Sequence, residues 1–188
     1  MRLLFVENDC SFSWNVIECL PISRDEVQIF SGARQRDQIV GAIDDVDAVV
    51  IGPGPLDPKR AGLIDLARLC GERRLPTLGV CLGHQAIGMA FGAELEAVEP
   101  RHGSRSDVRF RRSRFFGLSD ETVPVMRYHS LALRAVSSPL EVVAETDDGI
   151  AMAVEHQSLP MAGLQFHPDS FATPAGAQMV AAFFSATR

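Results

Sequence analysis

The first half of this chain alternates short apolar runs with helix-patterned stretches, and that rhythm most narrows the folds open to it. Leu3 to Val6, Val27 to Phe30, Ala48 to Ile51 and Pro76 to Val80 read as buried strands. Phe12 to Leu20, Arg34 to Ile43, Arg60 to Cys70 and Leu82 to Phe91 read as the helices between and after them. Strand and helix taking turns predicts an α/β fold with a mainly parallel central sheet flanked by helices. The rhythm breaks after Gly92. From Glu94 to Gln165 the chain reads as consecutive short strands, among them Val108 to Arg111, Val123 to Tyr128, Glu141 to Ala144, Ile150 to Val154 and Met161 to Phe166. These predict an added antiparallel β meander that extends or flanks the sheet. Thr173-Pro174 reads as an N-cap with proline at the first helical position, opening a last helix to about Ala186.

A length of 188 residues suits one domain, 1–188, with a full-sized core, and no linker, repeat or low-complexity tract divides it. Net charge of −6 and the lack of a long basic cluster argue against nucleic acid as a principal partner. The one basic run, Arg109 to Arg114, reads as a solvated face or a docking patch. No stretch approaches the length of a membrane span, and Leu3 to Val6 is too short for a signal peptide core. Cys10, Cys19, Cys70 and Cys81 show no Cys-x-x-Cys spacing, which fits reduced thiols in the cytoplasm, and the scattered histidines show no metal-ligand spacing.

In open parallel sheets ligands collect outside the carboxyl ends of the strands. Asn8 to Ser13, Gly52 to Pro58, Cys81 and His167 all follow predicted strands. Gly79-Val80-Cys81-Leu82-Gly83-His84-Gln85 sets a cysteine between strand and helix, with small residues on both sides that allow a sharp turn. This is the sulfur counterpart of the Gly-x-Ser-x-Gly nucleophile elbow. A thiol at a helix N-terminus is expected to have a lowered pKa, and the N–H groups there can hold an oxyanion. The same segment also fits a small cysteine buried in a tight turn. A cysteine nucleophile needs a base and an acid to orient it, and His167-Pro168-Asp169 offers both. Proline holds that backbone extended, an arrangement that would not by itself aim both side chains at one point, and the same residues also fit His167 capping a strand end with Asp169 starting a turn before the last helix. His84, His102, His129 and His156 compete as bases. Gly52-Pro53-Gly54-Pro55 forms a stiff loop in which Gly54 could offer an unobstructed N–H to a substrate.

Together these segments resemble a class I glutamine amidotransferase over almost the whole chain. Gly79 to Gln85 is similar to the family's nucleophile motif, Gly52 to Pro55 to its oxyanion strand, and Gly163-Leu-Gln-Phe-His-Pro-Asp-Ser170 to its histidine-acid motif. Arg127-Tyr-His-Ser-Leu131, His102-Gly-Ser-Arg-Ser106 and the opening Asn8 to Phe12 with Asn15 resemble the branch that serves chorismate-using enzymes. The resemblance implies a flavodoxin-like sheet and hydrolysis of L-glutamine to glutamate and ammonia without cofactor or metal. It implies that Cys81 attacks the side-chain amide, His167 shuttles the proton and Asp169 orients His167. Gly54 and Leu82 would hold the oxyanion, and Gln85 with the backbone of Ser130 and Leu131 would grip the amino-acid end. The partner implied is the synthase component of a chorismate-using enzyme, anthranilate or aminodeoxychorismate synthase, in a heteromer docked on the elbow face. Two positions depart from the pattern. The family's acid is normally glutamate, and Asp169 is shorter by roughly 1.5 Å. Leu56 stands where many relatives have a second loop glycine. Two other readings follow from the same residues: a partner-binding subunit impaired through Asp169, or a stand-alone cysteine hydrolase of γ-glutamyl bonds.

Overall fold

The computed structural model describes residues 1–188. In chain order the strands are β1 (Leu3–Glu7), β2 (Val27–Ser31), β3 (Ala48–Ile51), β4 (Thr77–Val80), β5 (Glu94–Ala97), β6 (Ser104–Phe110), β7 (Thr122–Arg127), β8 (Leu131–Arg134), β9 (Leu140–Glu145), β10 (Ala151–His156) and β11 (Met161–Leu164). The helices are α1 (Ser13–Glu18), α2 (Arg36–Ala42), α3 (Leu63–Glu72), α4 (Leu82–Ala90) and α5 (Gly176–Ala186). Nine strands form one sheet in the order β2-β1-β3-β4-β11-β10-β9-β6-β7, and β5 pairs with β8 in a small second sheet.

The first five strands in that order are mutually parallel, and the rest are antiparallel. The α/β rhythm therefore builds the parallel half and the meander extends it. One strand of the meander does more. The antiparallel run β9-β10-β11 brings the last strand of the chain back against β4, parallel to it, with Leu164 opposite Val80. Residues 81 and 165 thus leave neighbouring strands at the same carboxyl edge.

Side-chain alternation along the central strands assigns the helices to two layers. Leu3, Phe5, Ala48, Val50, Leu78 and Val80 pack with Val16 and Ile17 of α1 and Met179, Val180, Phe183 and Phe184 of α5. Leu4, Val6, Val49 and Ile51 face the other way, onto Ile39 of α2, Leu63 and Leu66 of α3 and Ala86 and Ile87 of α4. No helix is long and apolar enough to cross a membrane.

Two local expectations are corrected. Thr173 does not cap α5, which starts at Gly176 after Ala175. Its hydroxyl instead accepts from the Met126 N–H at 3.0 Å and donates to the His167 carbonyl at 2.8 Å, so it is spent on fastening the chain inside the fold. In the basic run, Arg114 reaches the carbonyls of His156, Gln157 and Leu159 at 2.8–3.0 Å, and Arg111 pairs with Glu145. Arg114 is a clamp between β10 and β11, while Arg109 and Arg112 stay exposed as a solvated face.

Candidate active site

At the end of β4 the chain turns into α4 through a single residue, Cys81, whose φ of 51° and ψ of −98° lie outside the comfortable regions for an L side chain. Holding a non-glycine residue there costs on the order of 1–3 kcal/mol, which the surrounding packing must supply. The flanking glycines explain how the turn is possible. A Cβ on Gly79 would stand 2.4 Å from the Gly83 carbonyl carbon, and one on Gly83 would stand 2.0 Å from the Ile51 carbonyl oxygen. Neither contact is possible, so only glycine lets β4, α4 and β3 approach this closely.

His167 arrives on the neighbouring strand. The Cys81 N–H donates to the Leu164 carbonyl at 2.8 Å, and two residues beyond Gln165 the His167 N–H bonds the Met126 carbonyl at 3.0 Å. The chain then turns at Pro168 and Asp169, with the Ser170 N–H returning to the His167 carbonyl at 3.4 Å. Of the two backbone readings, extended across Pro168 or turning at Asp169, the structure has the turn, and it folds Asp169 back beside the imidazole. Nδ1 of His167 and Oδ1 of Asp169 are 3.1 Å apart, and both side chains are buried. A carboxylate only accepts, so Nδ1 carries the proton and Nε2 is left as the basic nitrogen. The shorter acid closes a normal hydrogen bond because the turn, rather than side-chain length, supplies the reach. Phe12 and Tyr128 stand edge-on to the imidazole with ring centroids 5.1 and 5.0 Å away, which fixes its plane.

Cys81 and His167 open on one cavity of about 220 Å³, completed by Asp9, Cys10, Ser11, Phe12, Pro53, Gly54, Pro55 and Tyr128. Gly54 enters it from the loop after β3. A Cβ there would stand 2.6 Å from Leu82 and 2.7 Å from Asn8, so the loop backbone lies directly on the elbow. Asn8 sets that height, since its amide bonds the carbonyls of Val6 and Gly52 at 3.1 Å each. The Leu82 N–H lies near enough to the Cys81 sulfur to favour its charged form.

The thiol differs from expectation. Burial pushes Cys81 up to about 12, and the Leu82 N–H and the Gln165 amide only partly oppose it. Desolvation outweighs the helix terminus, so the resting group is the thiol. Of the competing bases, His84 is fully buried with both ring nitrogens unpartnered and is lowered to about 3 by desolvation. His129 is lowered to about 4 by burial and by the nearby Arg127. His102 and His156 do not line the cavity.

Gln85 lies behind the cysteine and is buried; its Nε2 donates to the Leu131 carbonyl at 3.0 Å and to Gln165 Oε1 at 3.1 Å. Leu131 is thereby tied to the site through Gln85. Ser130 is exposed, outside the cavity lining, with its carbonyl taken by the Val98 N–H. Gln165, Asn8 and Tyr128 were not singled out from sequence as site residues. The signal for Gln165 was its position in the strand exit leading to His167, one alternation from it.

This geometry agrees with three comparisons. The sequence profile of the family described as glutamine amidotransferase class-I matches residues 4–187. The chain is 42% identical over 187 residues to an aminodeoxychorismate synthase of Streptomyces griseus, an alignment covering 97% of this chain and 26% of that one. It is 38% identical over 186 residues to anthranilate synthase component 2 of Mycobacterium tuberculosis, covering 96% and 80%, and 36% identical over 197 residues to that of Azospirillum brasilense, covering 99% and 96%. The chain thus spans about a quarter of the Streptomyces protein and most of the other two. A candidate GMP synthase subunit from Thermoplasma acidophilum superposes with a TM-score of 0.83 over 100% of this chain and 94% of that one, at 19% identity, and so shares the fold. With the elbow, the histidine-acid turn and a family profile running from residue 4 to 187, the chain belongs to the class-I glutamine amidotransferases.

Proposed function

We propose that this chain is the glutaminase subunit of a chorismate-using synthase, hydrolysing L-glutamine and supplying ammonia to its partner. The observation that carries the reading is the convergence of a strained cysteine elbow and an Asp-oriented histidine on one cavity at the carboxyl edge of the sheet. Residues 1–188 act in this reading as one amidotransferase domain, and its free thiols suit the cytoplasm.

Glutamine enters with its side-chain amide over Cys81. His167 Nε2 takes the thiol proton, and the resulting imidazolium is stabilised by Asp169. The sulfur attacks the amide carbon, forming a C–S bond while the carbonyl π pair moves onto oxygen. The N–H groups of Gly54 and Leu82 receive that oxyanion, a contribution worth roughly 3–4 kcal/mol per donor in comparable sites. His167 returns its proton to the leaving nitrogen, the C–N bond breaks and ammonia departs, leaving a γ-glutamyl thioester. Water, deprotonated by His167, then cleaves the C–S bond to give glutamate and the free thiol. Gln85, behind the cysteine, acts by positioning Leu131 and Gln165 rather than by touching the amino-acid end, and Ser130 lies outside the cavity lining.

The branch is supported by relatives named anthranilate synthase component 2 and aminodeoxychorismate synthase. Docking on the elbow face is supported by its surface. Of the four large apolar side chains that are exposed, Trp14, Leu56 and Phe171 follow strands at the carboxyl edge, and Phe171 is 95% exposed. A partner surface would remove these from water. The test is glutamate release from glutamine by the purified chain, with Cys81→Ala as control, alone and with each candidate synthase. Cys81-dependent release that rises with one synthase is the expected result. No release in any pairing by folded protein would reject the reading in favour of a non-catalytic subunit.

A further inference from the structure

The side-chain hydrogen bond to the Cys81 sulfur comes from Gln165, whose Nε2 lies 3.7 Å away, and the reaction described above makes no use of it. The orientation of that amide is fixed by its neighbours. The Leu131 carbonyl can only accept, so the NH2 end of Gln85 faces it at 3.0 Å. That same nitrogen stands 3.1 Å from Gln165, which must therefore present Oε1 there and turn its own NH2 group to the sulfur. The far side is pinned as well. Nε of Arg127 approaches Nε2 of His129 at 3.1 Å, and a guanidinium only donates, so the proton of neutral His129 is on Nδ1, 2.9 Å from the Leu131 carbonyl. Gln165, Gln85, Arg127 and His129 are between 0% and 4% exposed, so bulk water does not compete for any of these bonds.

We propose that Gln165 is a further catalytic residue, its amide N–H holding the Cys81 sulfur and stabilising it as thiolate when His167 removes the proton. The proposal rests on Cys81 being the nucleophile. An N–H aimed at sulfur favours the charged form over the neutral one, and in a buried site this opposes the desolvation that favours the thiol. The position in the chain fits the role: Gln165 lies between Leu164, which is bonded to the Cys81 N–H, and the segment that carries His167. A single short stretch of chain then supplies both the donor that steadies the thiolate and the base that creates it.

The test is the pH dependence of Cys81 alkylation by iodoacetamide, followed on the Cys81 peptide in the purified full chain without glutamine. Gln165→Met keeps the length and removes the N–H; it is expected to lower the rate at neutral pH about tenfold, a shift of about one pH unit in the profile. Gln165→Glu is expected to shift it further, because a carboxylate there repels the thiolate. Gln165→Asn, which withdraws the donor by one methylene and keeps a polar group, covers the case in which the Met variant does not fold. Profiles of the Met and Asn variants that coincide with the wild type would overturn the proposal, since a role in packing alone moves stability and leaves the profile in place. A wild type that hydrolyses glutamine while its variants keep that profile overturns this proposal alone. A wild type that hydrolyses none, alone or with any candidate synthase, overturns the functional reading beneath it.

Discussion

The backbone N–H of Cys81 donates to the carbonyl of Leu164 across 2.8 Å, so the candidate nucleophile is fastened to the strand that leads into His167. The two candidate reacting side chains are held by adjoining backbone, and they should fail as a unit. Cys81→Ala and His167→Ala are each expected to lower glutamine hydrolysis by at least about 10³-fold, and the double variant to be hardly worse than either. Steady-state rates of the three proteins, alone and with the proposed synthase partner, check this.

Asp169 is expected to act through the tautomer of His167. Asp169→Asn preserves shape, but its NH2 group can donate to Nδ1 and favour a proton on Nε2, which disables the base. A loss of about 10²–10⁴ in kcat is expected with little change in KM. Asp169→Glu restores the family's usual acid at the cost of fitting one methylene into a side-chain site only 1% exposed. It should retain more activity than the Asn variant, and kcat values for the pair decide it.

Thr173 links β7 to the histidine segment through both hydrogen bonds of its hydroxyl. Thr173→Val keeps the volume and leaves the buried Met126 N–H without that acceptor, a cost of about 1–3 kcal/mol. Urea unfolding should show the loss. Since the same hydroxyl holds the His167 carbonyl, kcat should also fall.

How far the sequence could be read is clear from such residues. Strands such as Ala48 to Ile51 were legible because they are apolar, short and bounded by turn residues. The helix end near Ala186 was legible too, but Thr173 was misread, because a hydroxyl before a helix looks the same whether it caps that helix or bonds a strand remote in sequence. β5 and β8 were not singled out: Glu94 to Ala97 and Leu131 to Arg134 are short, with mixed polarity and pairing that only tertiary structure sets. The candidates Cys81, His167 and Asp169 were visible as residue types after strands. What was not visible was the placement of β11 beside β4, since strand neighbours depend on contacts across the whole chain. The lowered thiol pKa was misjudged for a related reason, because a helix terminus can be seen locally and burial cannot.

Gly83 has no room for a side chain: a Cβ would stand 2.0 Å from the Ile51 carbonyl oxygen. Gly83→Ala must push α4 away from β3, with a cost of about 1–3 kcal/mol or more and a fall in melting temperature of about 3–10 °C. Differential scanning calorimetry measures the fall. Glutamine hydrolysis should drop more than stability implies, because the Leu82 N–H moves with the helix.

Stability should decline in acid through two buried histidines. His129 and His84 are held neutral in the fold, lowered to about 4 and about 3, each chiefly by desolvation. In the unfolded chain they protonate near the ordinary value of about 6.5. Between those values the unfolded state binds more protons, so stability is present above about pH 6.5 and is lost as pH falls towards 4 and then 3. Urea midpoints measured from pH 7 down to pH 4 should fall steadily. His84→Leu, which replaces a ring with two unpartnered nitrogens, should roughly halve the slope of that fall below about pH 6.5 and cost little at pH 7.

The insertion of β11 between β4 and β10 also orders events in time. In chain order the cysteine elbow precedes the candidate base by some eighty positions. Until Met161 to Leu164 settle into their slot, the thiol has no proton acceptor from His167 and no finished cavity. Reactivity in this reading therefore depends on β11 occupying its slot, and a chain lacking that strand would carry the candidate nucleophile without its base.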